Sequence, residues 1–142
     1  MQVREGMSAT SLTVGPGHTL REAARLMHER GIGSAIVLDA EQPGPGLLTE
    51  RDVLKAIGRG LDPDTELVRD HLTANLVFAA PDWSLEQAAA AMVRGHFRHL
   101  VVVEGGDLVG VLSMRDIVGC WIADGAACEV PASAWAGAIT AR

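Results

Sequence analysis

The chain repeats itself, and the repeat decides most of what it can fold into. Gly46-Leu47-Leu48-Thr49-Glu50-Arg51-Asp52 returns as Gly110-Val111-Leu112-Ser113-Met114-Arg115-Asp116. Upstream, Val3-Arg4, Ala9, Pro16, Leu20, Ala23-Ala24, Met27 and Val37 recur without a gap 65 positions later, as Val68-Arg69, Ala74, Pro81, Leu85, Ala88-Ala89, Met92 and Val102. The spacing becomes 64 after Asp39 and Glu104, where the first copy carries the longer turn Ala40-Glu41-Gln42-Pro43-Gly44-Pro45-Gly46. Two copies of one supersecondary unit therefore build the protein. Each copy has roughly 60 residues, about the size at which a lone core becomes marginal, so the pair is expected to fold as one body.

Each copy reads β-α-β-β-α. Thr19-Leu20-Arg21-Glu22 and Ser84-Leu85-Glu86-Gln87 fit the capping box, in which a hydroxyl and a Glu or Gln three residues on satisfy orphan amide donors, so each opens a helix. Leu20, Ala23, Ala24 and Met27 form an i, i+3, i+4, i+7 stripe, repeated by Leu85, Ala88, Ala89 and Met92, and the small alanines let the helix approach a sheet closely. These stripes read as core. The runs Ala35-Ile36-Val37-Leu38 and Leu100-Val101-Val102-Val103 are nearly continuous apolar segments, which suits strands covered on both faces. Short strands at Leu47-Leu48 and Leu108–Leu112 then lead to helices starting at Glu50 and Met114. Gly58-Arg59-Gly60-Leu61-Asp62-Pro63 separates the copies, giving units 1–66 and 67–122 and a tail, 123–142, without a firm period.

Composition narrows the function classes. A formal charge of −6 opposes general nucleic-acid binding, although local basic clusters can still hold a small anion. No apolar run approaches the ~20 residues of a membrane span, and Met1-Gln2-Val3-Arg4-Glu5-Gly6 lacks a signal peptide's apolar core, so a cytoplasmic protein without a membrane partner is expected. Cys120 and Cys128 read as unpaired, incidental thiols, and their spacing is a poor zinc signature. The histidines His18, His28, His71, His96 and His99 show no i, i+4 pair, so neither a metal nor a required cofactor is indicated. No P-loop, Rossmann glycine pattern or Ser-His-Asp context competes, so no catalytic residues are assigned and the chain reads as a non-enzyme.

At this point the paired units resemble cystathionine-β-synthase (CBS) domains in tandem, over about Val3 to Trp121. The resemblance rests on the Gly-apolar-apolar-[Ser/Thr]-x-Arg-Asp sequence closing each unit, on Pro16 and Pro81 ahead of the capping boxes, and on Phe97-Arg98-His99-Leu100. The first copy departs more from the pattern, with Gly33-Ser34 in place of Arg98-His99 and Ile36 where many members carry proline. It implies an α/β (α+β) fold of two CBS repeats packed as a pseudo-twofold pair. It also implies a regulatory module binding an adenosine-containing ligand such as AMP, ADP or ATP in two clefts.

By that resemblance Asp52 with Thr49, and Asp116 with Ser113, serve ribose and phosphate; Arg51 and Arg115 read equally as surface residues or as phosphate contacts. Leu12-Thr13 and Leu76-Val77-Phe78 frame the adenine, and Ile32 and Phe97 wall it. The chemistry is sensible by itself. A carboxylate is a strong acceptor for a cis-diol, and a helix N-terminus offers free N–H groups to an anion. Capping alone also explains Thr49, Ser113, Asp52 and Asp116, but it does not single out the arginines. Because Arg98 and His99 stand beside Ser113 and Asp116 while Gly33 and Ser34 stand beside Thr49 and Asp52, the Asp116 cleft is expected to prefer phosphorylated ligands. Apolar helix positions Val53, Leu54, Ile57, Ile117, Val118, Trp121 and Ile122 suggest a homodimer. Two alternatives stay open: an adaptor that binds no small ligand, and a detached regulatory subunit of an enzyme or transporter with an unknown protein partner.

Overall fold

The computed structural model describes residues 1–9 and 12–125. Thr10, Ser11, Cys128 and nearly all of the 123–142 tail lie outside them. A short helix α1 (Val3–Gly6) leads to β1 (Thr13–Val14), α2 (Leu20–Arg30), β2 (Ser34–Val37), β3 (Gly46–Thr49) and α3 (Glu50–Gly58). A 3-10 turn (Val68–Asp70) then opens the second pass, β4 (Phe78–Ala79), α4 (Leu85–Gly95), β5 (His99–Glu104), β6 (Asp107–Ser113) and α5 (Met114–Ala123). The β-α-β-β-α order read from the repeats is the order found. Each sheet has three strands, the first parallel to the middle one and the last antiparallel to it.

Local chemistry places these elements where the side-chain patterns require. Thr19 Oγ1 accepts from Glu22 N–H at the start of α2, and Ser84 completes a reciprocal box with Gln87 at the start of α4. Leu20, Ala23 and Met27, and likewise Leu85, Ala88 and Met92, are buried against their own sheets. The tight turn between β5 and β6 is made by Gly105-Gly106 at φ +60° and +86°, both in the left-handed region that a two-residue hairpin needs.

The continuous apolar runs are explained by two different coverings. Alternate residues of β2 and β5, Ala35 and Val37 or Leu100 and Val102, face the helices. The residues between them, Ile36 and Val101, meet Leu47 and Val111 in a third cluster where the two sheets pack on each other. Leu38 ends this pattern and is exposed.

A second bond between the units was not visible in the repeat itself. The leading segment of each copy packs in the other copy's core: Val3 belongs to the second core and Val68 to the first, both fully buried. The backbone bonds repeat with the 65-residue period. Val3 N–H donates to Trp83 O (2.8 Å) and Arg4 N–H to Pro81 O (3.0 Å), while Val68 N–H donates to His18 O (2.8 Å) and Arg69 N–H to Pro16 O (3.1 Å). Exchanged segments thus tie two marginal units into one body.

Candidate ligand-binding clefts

Each closing motif sits at a strand-to-helix junction. Thr49 ends β3 and caps α3, and Ser113 ends β6 and caps α5. Asp52 N–H donates to Thr49 Oγ1 (3.3 Å) and Thr49 N–H returns to Asp52 Oδ2 (2.8 Å). Asp116 N–H donates to Ser113 Oγ (3.0 Å) and Ser113 N–H to Asp116 Oδ2 (2.8 Å). Capping therefore uses the hydroxyl and one carboxylate oxygen. The other oxygen, Oδ1, has no partner at either aspartate among the described residues. It is a strong acceptor standing at a helix N-terminus.

Both aspartates open onto clefts. The Asp116 cleft, about 700 Å³, takes Ser113, Met114 and Arg115 from the second unit and His28, Ile32, Gly33 and Ser34 from the first. The Asp52 cleft, about 490 Å³, takes Thr49, Arg51 and Lys55 from the first unit and His96 and Phe97 from the second, with Leu76 and Val77 along one side. Each cleft is a composite of one unit's closing motif and the other unit's helix end. Within each unit an equivalent backbone bond ties the closing motif to that unit's own helix-to-strand turn: Glu50 N–H donates to Gly33 O (3.0 Å) and Met114 N–H to Arg98 O (2.8 Å).

The composite arrangement corrects part of the sequence reading. Gly33 and Ser34 line the Asp116 cleft, not the Asp52 cleft, although Ser34 pairs with Thr49 across β2 and β3. Arg98 and His99 line both clefts. They stand beside Ser113 and Asp116 as expected, but their place is not reserved to that cleft. Leu12, Thr13 and Phe78 line neither cleft. Period-two alternation turns Leu12 and Val14 into the first core and leaves Thr13 on the opposite, exposed side, while Phe78 is likewise exposed at the start of β4. Ile117 also belongs to the core and not to the surface, and Val53 and Trp121 pack partly against the two cores.

Two residues of the Asp52 cleft were missed. Thr73 Oγ1–H donates to Asp52 Oδ2 at 2.5 Å, so that oxygen receives three bonds, Thr49 Oγ1 supplying another at 3.0 Å. Its repeat counterpart, Ser8, lines the Asp116 cleft; the paired hydroxyls at positions 8 and 73 were the available signal. Lys55 adds a cation with no counterpart, since Gly119 holds the equivalent place.

Electrostatics separate the clefts further. Arg51 Nη1–H donates to the carbonyl of His96 (2.6 Å), a non-glycine residue at φ +57° closing α4. Arg115 has no hydrogen-bond or ion-pair partner among the described residues. Burial pushes the His99 imidazole below its ordinary pKa, with Arg98 pushing the same way against the opposing pull of Glu50 and Asp116. The cationic form of His99 is thus disfavoured relative to a free imidazole.

Paired three-stranded sheets with exchanged leading segments and two composite clefts define a tandem two-unit α/β module. The CBS domain profile matches residues 3–59 and 68–121, and the chain belongs to the CBS domain family. An uncharacterized protein of Methanopyrus kandleri is 33% identical over 109 residues, covering 75% of this chain; the chain spans only 56% of that relative's length. Among solved structures, a protein with CBS domains from Burkholderia ambifaria aligns over 92% of this chain and all of its own, at 29% identity and TM-score 0.82. The CBS domain protein PAE2072 from Pyrobaculum aerophilum, solved in complex with AMP, aligns over 82% of this chain and 89% of its own, at 29% identity and TM-score 0.72. No helix among the described residues is long and apolar enough to cross a membrane.

Proposed function

We propose that this chain is a sensor that binds an adenosine-containing nucleotide in its clefts and signals by a change of shape, without turning the ligand over. The observation that carries this reading is the unspent Oδ1 of Asp52 and Asp116. A purely structural cap needs one carboxylate oxygen, whereas a ribose diol needs a free acceptor beside the helix N-terminus where phosphate is favoured. Arg115, without a partner among the described residues, and the AMP complex of the Pyrobaculum aerophilum relative support the same ligand class. In this reading Asp116 and Asp52 hold ribose; Ser113 and Arg115 face phosphate in one cleft, Thr49, Arg51 and Lys55 face it in the other, and Arg98 borders both.

The ligand moves the protein only by binding one arrangement of the two units better than another. The clefts are composites, so a filled cleft biases how the sheets and helices sit together. The readout is carried by the exposed apolar residues of α3 and α5, Leu54, Ile57, Val118 and Ile122, through which two copies form a homodimer and a regulated partner docks. Calorimetric titration of AMP tests the ligand. Asp116→Asn keeps a side-chain oxygen for the cap but weakens the diol acceptor, and it is expected to reduce affinity by about tenfold or more, the size of one charge-assisted bond. Unchanged AMP affinity in both Asp116→Asn and Asp52→Asn, or AMP consumed in proportion to purified protein, refutes the reading.

A further inference from the structure

The two clefts touch at one seam. Among the described residues, Glu50, Arg98 and His99 line both, and every other lining residue serves one cleft only. In a symmetric pair the twofold would supply this trio twice. Here the counterparts of Arg98 and His99 are Gly33 and Ser34, and the counterpart of Glu50 is Met114. Gly33 lies at the seam itself: a Cβ added there would stand 3.1 Å from Glu50 Oε1 and 3.4 Å from His99 Cε1. Where two arginines could have met, one on behalf of each cleft, this chain has a single one.

That arginine is loosely held. Its Nη1 is 4.0 Å from Glu50 Oε1, and both side chains are more than half exposed, at 60% and 62%. Such a pair is screened and weak, so it does not fix the guanidinium toward either side. His99 is half-buried at the seam, and burial pushes its imidazole below its ordinary pKa, against service as a second cation there.

We propose that Arg98 is one anion-binding residue held in common by two clefts, so that a phosphorylated ligand in either cleft weakens the other cleft's hold on a second phosphorylated ligand. An arginine grips phosphate through paired donors in a fixed fork, and a fork turned to one phosphate is lost to the next. A neutral nucleoside makes no demand on Arg98 and should fill both clefts independently. By linkage the antagonism is the same in whichever order the clefts fill. It makes the protein respond over a broader concentration range than two independent sites would. The proposal rests on the nucleotide reading above and is tested so that the two can fail separately.

Asp52→Ala and Asp116→Ala, which remove the diol acceptor outright, each disable one cleft and give the other's AMP affinity when alone. In the wild type at pH 7.5, calorimetry is expected to show the weaker AMP step at least about tenfold weaker than the same cleft alone, while adenosine shows no such gap. Arg98→Gln should remove the gap by weakening the first step. Gly33→Arg, whose side chain enters beside the exposed and movable Glu50, should remove it by strengthening the second. A wild-type weaker step equal to its single-cleft value, a gap that persists in Arg98→Gln, or a single-cleft variant with no AMP affinity at all overturns the shared residue while leaving a nucleotide site standing. Absence of AMP binding to the wild type at millimolar concentration overturns the nucleotide reading and the sharing with it.

Discussion

Because each unit's leading segment completes the other's core, damage in one core should be felt in the other. Val68 is fully buried in the first core although it belongs by sequence to the second repeat. Val68→Ala removes two methyl groups from a site whose backbone is pinned by bonds to Pro16 and His18, so little collapse is possible. Lost transfer energy and the residual cavity together cost roughly 2 kcal/mol. In a chain of this size that lowers the midpoint of thermal unfolding by roughly 5–10 °C. The discriminating probe is tryptophan fluorescence. Trp83 and Trp121 both pack against the second core, remote from Val68, and Trp135, outside the described residues, can be replaced by Phe in the reference protein. If the exchange makes one cooperative body, the fluorescence midpoint of Val68→Ala should fall as far as the helical circular dichroism midpoint, in a single transition. A fluorescence transition left in place while the circular dichroism curve splits in two would refute the coupling.

Three further outcomes are expected. With its folded pKa below that of the unfolded chain, His99 lets the unfolded state bind more protons. Stability should therefore be fully present above about pH 6.5 and fall as pH drops toward the folded pKa, and melting curves from pH 5 to 7.5 should lose that part of the slope in His99→Asn. Gly110 and Gly46 occupy equivalent positions, yet a Cβ at Gly110 would lie 2.8 Å from the backbone oxygen of Ser8, whereas at Gly46 it would meet the movable Leu72 Cδ1, also at 2.8 Å. Gly110→Ala should cost about 1–3 kcal/mol in a denaturant titration and Gly46→Ala clearly less; the reverse order would mean that the 1–9 segment does not pair with β6. On α5, Ile122→Glu places a charge on a residue 61% exposed in the monomer, so it should leave the melting midpoint nearly unchanged while converting a dimer to a monomer by sedimentation; an unaltered dimer excludes this face as the interface.

How far the sequence was legible depended on whether the information lay within one repeat or between two. Capping boxes, Leu/Ala/Met stripes and apolar strands are local patterns, and the elements they announce at Leu20, Leu85, Glu50 and Met114 begin where the patterns place them. The roles of Ile36 and Val101 were half legible: a continuous apolar run says that both faces are covered, not that the second face is covered by the other sheet. The clefts were least legible. A repeat comparison aligns position 33 with 98 and 34 with 99, which invites each pair to be assigned to its own unit's aspartate. The twofold packing does the opposite, setting Gly33 against Glu50 and His99 and opening Gly33 and Ser34 toward Asp116.

The same packing shows why divergence between the copies matters more than their likeness. Equivalent residues such as Thr49 and Ser113, or Thr73 and Ser8, build two similar clefts and would by themselves make two similar sites. The positions that differ, Gly33 against Arg98, Met114 against Glu50 and Lys55 against a Gly119 that lines neither cleft, put residues of different charge at the seam or on one cleft wall. Identity within the repeat thus maintains the scaffold, while its few breaks distribute charge between the clefts. An arginine at one seam position and a glycine at its mate turns a symmetric pair into a protein whose two clefts must differ.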